Sequence, residues 1–202
     1  MVLRIRGYLF WGLSLLVALV SWRFLVLGVE AGMPHMAHFL DGQALALYAH
    51  IGLAPVALAL MPFQFSTRFR MRRPALHRWM GRVYALAIVL SGVAGLVLAA
   101  GTVFGPVAGW GFGILAVLWV GTTVQAVRLA MMKRIAEHRR WMIRSAALTF
   151  AAVTLRVYMP FLGMGFGFET GYLIVAWLCW VPNLLIAEWV LLRERPLQGA
   201  LG

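Results

Sequence analysis

The chain has 202 residues, of which 63% are hydrophobic and 12% charged, and its formal net charge is +12. Soluble domains contain about half apolar and about a quarter charged residues, and a soluble core of this size cannot bury the apolar excess. The composition therefore excludes an ordinary soluble domain and predicts that lipid surrounds much of the chain. Nucleic acid is not expected as a partner, because the basic residues cluster between apolar segments instead of forming an exposed face interleaved with aromatic residues.

Six apolar segments are long enough to cross a bilayer as helices, which requires about 20 residues each. In chain order they cover residues 8–27, 44–61, 80–100, 110–131, 141–162 and 172–192. Strands of a membrane barrel would be about half as long and would alternate in polarity. We therefore expect an all-α polytopic membrane protein, with six transmembrane helices bundled in a single domain over residues 1–202.

The basic residues gather on one side of the predicted spans. They precede the first span, fill the second-to-third and fourth-to-fifth connections, and follow the sixth: Arg4, Arg6, Arg68, Arg70, Arg72, Arg73, Arg78, Arg128, Lys133, Arg134, Arg139, Arg140, Arg193 and Arg195. The remaining connections carry the acidic residues Glu30, Asp41 and Glu169 and no lysine or arginine. The positive-inside rule then predicts that both termini are cytoplasmic.

The first segment can also be interpreted as a secretory signal. It has arginines, an apolar stretch and a small-residue step at Val29-Glu30-Ala31 that is similar to a cleavage site. Because the apolar stretch is too long for a signal and Arg23 interrupts its far end, we expect a retained helix. Cleavage would leave five spans with the same orientation.

Polar residues inside the spans indicate an outer polar level. A charged group in a span costs about 2.5–3.5 kcal/mol on insertion scales, so Arg156 needs an explanation. Helical spacing puts four residues on one face suited to the bundle interior: Ser145, Thr149, Ala152 and Arg156. From the rise of the helices we expect Arg156, Tyr48, His50 and Arg23 to lie at a similar depth.

A second polar level is predicted near the cytoplasmic ends of the spans. Its members are Gln64, Arg82, Gln125, Arg144 and Glu188. Glu188 needs a cationic partner, which either Arg82 or Arg144 can supply, and a buried ion pair that only holds helices in register is as good an interpretation as a site. Asn183, which follows Pro182, predicts a kink whose freed backbone groups are satisfied locally.

Two histidines stand at span entrances in nearly repeated stretches, 77–82 and 138–144. A b-type haem needs axial imidazoles from facing helices and arginines for its propionates, and His77 and His138 with Arg82 and Arg144 fit this in outline. His50 offers a ligand at the outer level. The alternative, which we prefer, is that both entrance histidines cap helices and bond to headgroups or to Glu188.

His35, His38 and Asp41 have H-x-x-H-x-x-D spacing, which can align three metal ligands on one helical face. A proline and a glycine interrupt this region, and loop histidines at the interface are the alternative interpretation. No catalytic set is evident, because the chain has no Ser-His-Asp arrangement in a convincing context and no H-E-x-x-H motif. Whether the protein is an enzyme stays open.

The stretch HRRWMIRSAALTFAAVTLR over residues 138–156 resembles an uncharacterised family of bacterial integral membrane proteins, domain of unknown function 2306. The shared pattern includes His50, Gln64-Phe65, His77-Arg78 with Gly81-Arg82, and Asn183 with Glu188. The resemblance covers the chain from about Ala44 onward and is most specific in the fifth-span block. It implies a multi-span protein of the bacterial inner membrane without an established activity, and it supplies no cofactor or substrate.

Two functional hypotheses follow. In the first, the buried histidine, arginine and glutamate groups bind or move a small ligand, a lipid or a proton, as in transport or sensing. In the second, the protein is a b-type cytochrome that passes electrons between a quinol and a partner. Membrane lipids are expected partners in both, and a small-molecule ligand or quinone is compatible with either. The oligomeric state is not predicted.

Overall fold

The computed structural model describes residues 2–194, with side chains from Gly7 onward. Arg195 therefore lies outside the described residues, as do the side chains of Arg4 and Arg6. The described chain is helical without a strand, and its α-helices are α1 (Val2–Ser21), α2 (Phe24–Gly32), α3 (Leu40–Phe65), α4 (Thr67–Arg72), α5 (Pro74–Ala100), α6 (Gly105–Met131), α7 (Ile135–Thr149), α8 (Ala151–Phe166), α9 (Phe168–Leu178) and α10 (Val181–Arg193). A 3₁₀ helix, Pro34–Phe39, joins α2 to α3.

Length and apolar character identify five segments that can cross a membrane, and a bent pair that can form a sixth span. The five are Pro34–Phe65, Pro74–Ala100, Gly105–Met131, Ile135–Phe166 and Phe168–Arg193. The expected all-α polytopic membrane bundle is confirmed. Long apolar helices satisfy their backbone groups internally, which is the condition for crossing lipid.

The first span differs from the expected straight helix over 8–27. Gly7–Ser21 and Phe24–Gly32 meet at an angle of 74°. Two side chains at the corner bond to backbone carbonyls: Trp22 Nε1 donates to Gly52 O at 3.0 Å, and Arg23 Nε donates to Gly32 O at 2.6 Å. The bend therefore ties the first helix to α3 and folds α2 back over the bundle end.

Two further spans are broken near their middles. The fifth predicted span consists of α7 and α8, which meet at Phe150, and the sixth consists of α9 and α10, which are separated by Cys179 and Trp180. A kink was predicted at Asn183, but the break lies one turn earlier, at Cys179 and Trp180; Asn183 Nδ2 donates to Cys179 O at 2.9 Å and to Thr154 Oγ1 at 3.0 Å across it. Thr154 in turn donates to Cys179 O, so one side chain from each helix pair bridges the break.

Four helices pack in chain order around the polar interior. Helix α3 packs on α5, α5 on α6 and α6 on α7, while α1 covers α3 and α8, and α10 packs on α7. The core between them includes Leu58, Met61, Tyr84, Ile88 and Val153, all at most 1% exposed. A smaller apolar cluster, which includes Phe24, Phe39, Leu47 and Leu98, joins α2 and the 3₁₀ helix to one end of this core.

Candidate functional site

Three polar layers cross the core at heptad spacing. Residues seven positions apart recur on three of the helical segments. They are His50, Ala57 and Gln64 on α3, His77, Tyr84 and Ser91 on α5, and His138, Ser145 and Ala152 on α7–α8. Residues seven apart lie on almost the same helix face, two turns and about 10 Å along the axis. The layers are numbered here from the arginine-rich end, the end that contains α4 and the α6–α7 connection.

The first layer brings together Gln64, His77 and His138. Gln64 Nε2 donates to His77 O at 3.5 Å, and Nδ1 of His138 lies 2.8 Å from Ala126 O on α6. Since a carbonyl only accepts, Nδ1 of His138 must carry a proton, which leaves Nε2 of a neutral ring as an acceptor. His77 lies close enough to His138 for their charges to interact, and its own Nδ1 is buried without a hydrogen-bond partner in the described chain.

The second layer is a cluster of hydroxyls from three helices. Thr123 Oγ1 lies 2.7 Å from Ser145 Oγ, and Tyr84 Oη lies 3.0 Å from Ser145 Oγ and 2.9 Å from Thr149 Oγ1. Trp119 Nε1 also donates to Thr149 Oγ1 at 2.8 Å. All five side chains are buried. Buried polar groups of this kind must be paired, and each of these is.

The third layer contains His50 and Arg156. Nδ1 of His50 lies 2.8 Å from Ser91 O, so the same argument as for His138 leaves Nε2 as its acceptor. Arg156 is half-buried on α8, donates one hydrogen bond to Ala152 O at 2.9 Å, and makes no ion pair within residues 7–194. Its charge repels those of Arg23 and of a protonated His50. The third layer is therefore positive and has no carboxylate of its own.

The predicted outer level is thus assembled in part. The charge of Arg156 acts on His50 and that of Arg23 acts on Arg156, which is compatible with the similar depth that we expected for them. Tyr48 does not join them, because its side chain is exposed and its ring packs 6.1 Å from Phe24.

The Glu188 carboxylate pairs with Arg144 and not with Arg82. Arg144 Nε and Nη2 donate to its two oxygens at 2.5 and 2.9 Å, joining α7 to α10. The Arg144 guanidinium also lies 4.8 Å from the centroid of the Trp141 ring. Arg82 is exposed. Within the described residues, neither Arg82 nor the half-buried side chain of Gln125 makes a hydrogen bond.

The arginine-rich end carries two more connections to α10. Arg139 donates to both carboxylate oxygens of Glu194 at 2.8 and 3.1 Å, and Arg140 donates to Leu191 O at 3.3 Å. The hydrogen bond and charge of Arg139, with the charge of Arg140, hold the pKa of the Glu194 carboxyl below its usual range. The Arg140 bond compensates one of the carbonyls that end α10, and the Arg139 bonds join the end of α10 to α7.

The residues of the predicted metal site are not brought together. No group of three or more potential ligands that could hold a metal ion occurs in the described residues. His35 stacks on Phe168 with ring centroids 3.8 Å apart, and His38 lies 6.0 Å from the ring of Phe104. The helical register is lost at Asp41, whose backbone is extended (φ −81°, ψ 101°), so the three side chains do not share a face.

Sequence reasoning missed the second layer's contributions from α5 and α6. Tyr84, Trp119 and Thr123 are ordinary residues of apolar spans when each is considered alone. The signal that could have found Tyr84 is its position midway between His77 and Ser91, seven residues from each. No comparable spacing marks Thr123, whose role depends on the packing of α6 against α7.

These features define a multi-pass α-helical membrane protein with a layered polar interior. The family described as a predicted membrane protein (DUF2306) matches residues 47–191, which is more than half of the chain. The chain belongs to this family, and its activity is unknown. No curated protein and no solved structure matches it.

Proposed function

We propose that this protein resides in the bacterial cytoplasmic membrane with both termini in the cytoplasm, and that it binds a small phosphate-bearing anion at Arg156. The proposed orientation follows from the distribution of arginines, and it places the third layer in the outer half of the membrane. The protein would then act as a non-enzymatic receptor or carrier. Lipid surrounds the protein, and lipid headgroups are one source of the phosphate group.

The observation that carries the proposal is the unpaired charge of Arg156. An arginine inside a span is costly, and such residues normally pair with a carboxylate or mark a ligand site. The described chain instead subjects it to the positive charge of Arg23, while the neutral ring of His50 offers it no negative charge. An anion bound between α3, α8 and the α1–α2 corner would relieve this repulsion.

Phosphate suits the available donors. Arg156 uses one terminal nitrogen for Ala152 O, which leaves its remaining N–H groups for a ligand, and a guanidinium binds phosphate oxygens in a bidentate manner. Arg23 donates hydrogen bonds to Gly32 O and Val20 O, and its other N–H groups are left for a ligand. The phosphate can be inorganic or part of a lipid headgroup.

Thermal unfolding of the detergent-purified protein tests the site. We expect inorganic phosphate or dispersed phosphatidylglycerol to raise the melting temperature of the wild type, and the active source identifies the ligand. Arg156→Leu should abolish this rise and Arg156→Lys should retain part of it, since lysine keeps the charge but not the fork. Arg128→Leu, which removes an exposed arginine from α6, should behave as the wild type. Equal stabilisation of wild type and Arg156→Leu by both compounds would refute the proposal.

One observation favours the second candidate, a b-type cytochrome. The Nδ1 bond of His138 to a backbone carbonyl is the arrangement that orients ligating imidazoles, and His77 lies nearby. Arg144, however, was expected to bind a haem propionate, and its guanidinium is already paired with the carboxylate of Glu188. Protein purified from haem-replete cells would have a Soret band that is lost in His138→Ala if this candidate is correct.

A further inference from the structure

One face of α5 is exposed along most of the helix and is charged only at its arginine-rich end. Its residues fall within a sector of about 120° and are all exposed: Arg78, Trp79, Arg82, Leu86, Leu90 and Val93. We infer that this α5 lipid face binds one anionic phospholipid, with the phosphate at the two arginines and an acyl chain along the aliphatic residues. The site does not involve Arg156 and does not rest on the proposed function.

The two arginines of the α5 lipid face have no protein anion. Arg78 and Arg82 are one turn apart, so their side chains begin about 5–6 Å from each other. Neither makes an ion pair within residues 7–194, and the three glutamates at the arginine-rich end are already paired with arginines of the stretch 134–144. A phosphate group can accept hydrogen bonds from two guanidinium groups at once, so one bound phosphate would satisfy both.

The position of Arg82 favours a lipid over a dissolved anion. Arg82 lies three residues inside Trp79 on an exposed face, and an arginine on such a face extends its guanidinium toward the membrane interface. Trp79 is 58% exposed, as is typical of a tryptophan at that level. An anion at the interface that also carries hydrocarbon is a phospholipid. A second copy of the chain fits less well, because a two-fold contact would bring four guanidinium groups together.

The aliphatic part of the face matches one acyl chain. Leu86, Leu90 and Val93 are 60%, 48% and 53% exposed, so each offers apolar surface to lipid. The rise of α5 from Arg82 to Val93 is about 16 Å, and one leaflet contributes about 15 Å of hydrocarbon. A lipid whose phosphate lies at Arg82 can therefore keep its chain against α5 down to the middle of the bilayer.

Net charge decides which phospholipid the face prefers. A zwitterionic lipid brings an ammonium group that the arginines repel, whereas phosphatidylglycerol brings a negative charge alone. The face belongs to a single helix, which stays formed in detergent when the bundle comes apart because its backbone groups are bonded internally. Lipid then binds the folded and unfolded states alike and does not raise the melting temperature, unlike an anion bound at Arg156.

Tryptophan quenching by brominated lipid tests the site in a bilayer. The full chain with Leu86→Trp is reconstituted in phosphatidylcholine vesicles that contain a fixed fraction of phosphatidylglycerol, and one of the two lipids carries bromine on its acyl chains. The difference from the unaltered chain gives the quenching of the added tryptophan. We expect phosphatidylglycerol to be preferred at this position by at least about fivefold, the factor that one arginine near anionic lipid contributes.

Two double variants with the same loss of charge identify the residues responsible. In the Leu86→Trp background, Arg78→Gln/Arg82→Gln should remove the preference. Arg128→Gln/Lys133→Gln removes two exposed, unpaired cations at the end of α6 and should leave it unchanged. Equal loss in both variants would refute the inference, because total charge would then select the lipid. Equal preference for the two lipids before substitution would also refute it, as would the absence of quenching by either, since protein would then cover the face.

Discussion

At the scale of single residues, the ion pair between Arg144 and Glu188 is the connection whose loss is easiest to measure. Its geometry is bidentate, and the side chains are 18% and 40% exposed, so water screens the carboxylate more than the guanidinium. Removing one partner weakens the compensation of the other charge near the membrane interface, whereas removing both eliminates the two charges together. The pair therefore stabilises α7 against α10 mainly by preventing that penalty.

We expect Arg144→Met to lower the free energy of unfolding by about 1–3 kcal/mol, the usual range for a lost charged hydrogen bond. The double variant Arg144→Met/Glu188→Met should recover most of the loss. Arg82→Met is the control, because Arg82 is exposed, and its effect should stay within about 0.5 kcal/mol. Detergent unfolding followed by tryptophan fluorescence measures all three. A larger loss in Arg82→Met than in Arg144→Met would contradict the assigned pairing.

At the scale of helices, small residues decide how closely α6 approaches its neighbours. A Cβ added at Gly111 would lie 2.9 Å from Ala176 O and 3.0 Å from Ala176 Cβ on α9. The nearest obstacle is backbone, which cannot move aside as a flexible side chain can. Membrane helices gain stability from such close contact because the hydrophobic effect does not drive their association.

Gly111→Ala should destabilise the protein by about 1–3 kcal/mol, because α6 and α9 must separate to admit the methyl group. Gly121 on the same helix is the matched control, since nothing described approaches its Cβ position within 4 Å. Gly121→Ala should be neutral or stabilising by up to about 1 kcal/mol, through the better helix propensity of alanine. Thermal melting in one detergent compares the two variants, and equal losses would contradict the packing argument.

Helix positions were largely predictable because apolar length is a local property of the sequence. The expected start at Ala44 agrees with α3, whose backbone becomes regular only after Gln43. The bend after Ser21 was not predictable in this way. It depends on bonds from Trp22 and Arg23 to carbonyls at Gly52 and Gly32, and apolar content does not report such contacts.

The candidate site was predictable to the extent that charge reveals it. Arg156, His50 and Glu188 were found because ionisable groups in lipid are costly wherever they point. Neutral hydroxyls cost far less, so Tyr84 and Thr123 carried no such signal. The choice of Arg144 over Arg82 also required the structure, since both lie at a suitable depth but α10 packs on α7, which carries Arg144, while Arg82 is exposed on α5.

At the scale of the whole molecule, the arginine-rich end predicts how the chain lies in the membrane. With Cys179 replaced by Ser, Arg70→Cys and Arg134→Cys should react with an impermeant thiol reagent only from the cytoplasmic side. Val103→Cys, in the exposed α5–α6 connection, should react only from the other side. Labelling of sealed inverted and right-side-out vesicles measures this, and reaction of positions 70 and 134 from opposite faces would exclude the topology.

The corner between α1 and α2 has a consequence for the charge of the anion that we propose to bind at Arg156. That corner carries a second guanidinium, Arg23, whose charge acts on Arg156. With both arginines present, the local charge matches a doubly ionised oxyanion better than a singly ionised one. Proteolytic removal of the first 31 residues would delete Arg23 together with the Trp22 anchor, and selectivity should then shift toward monoanions.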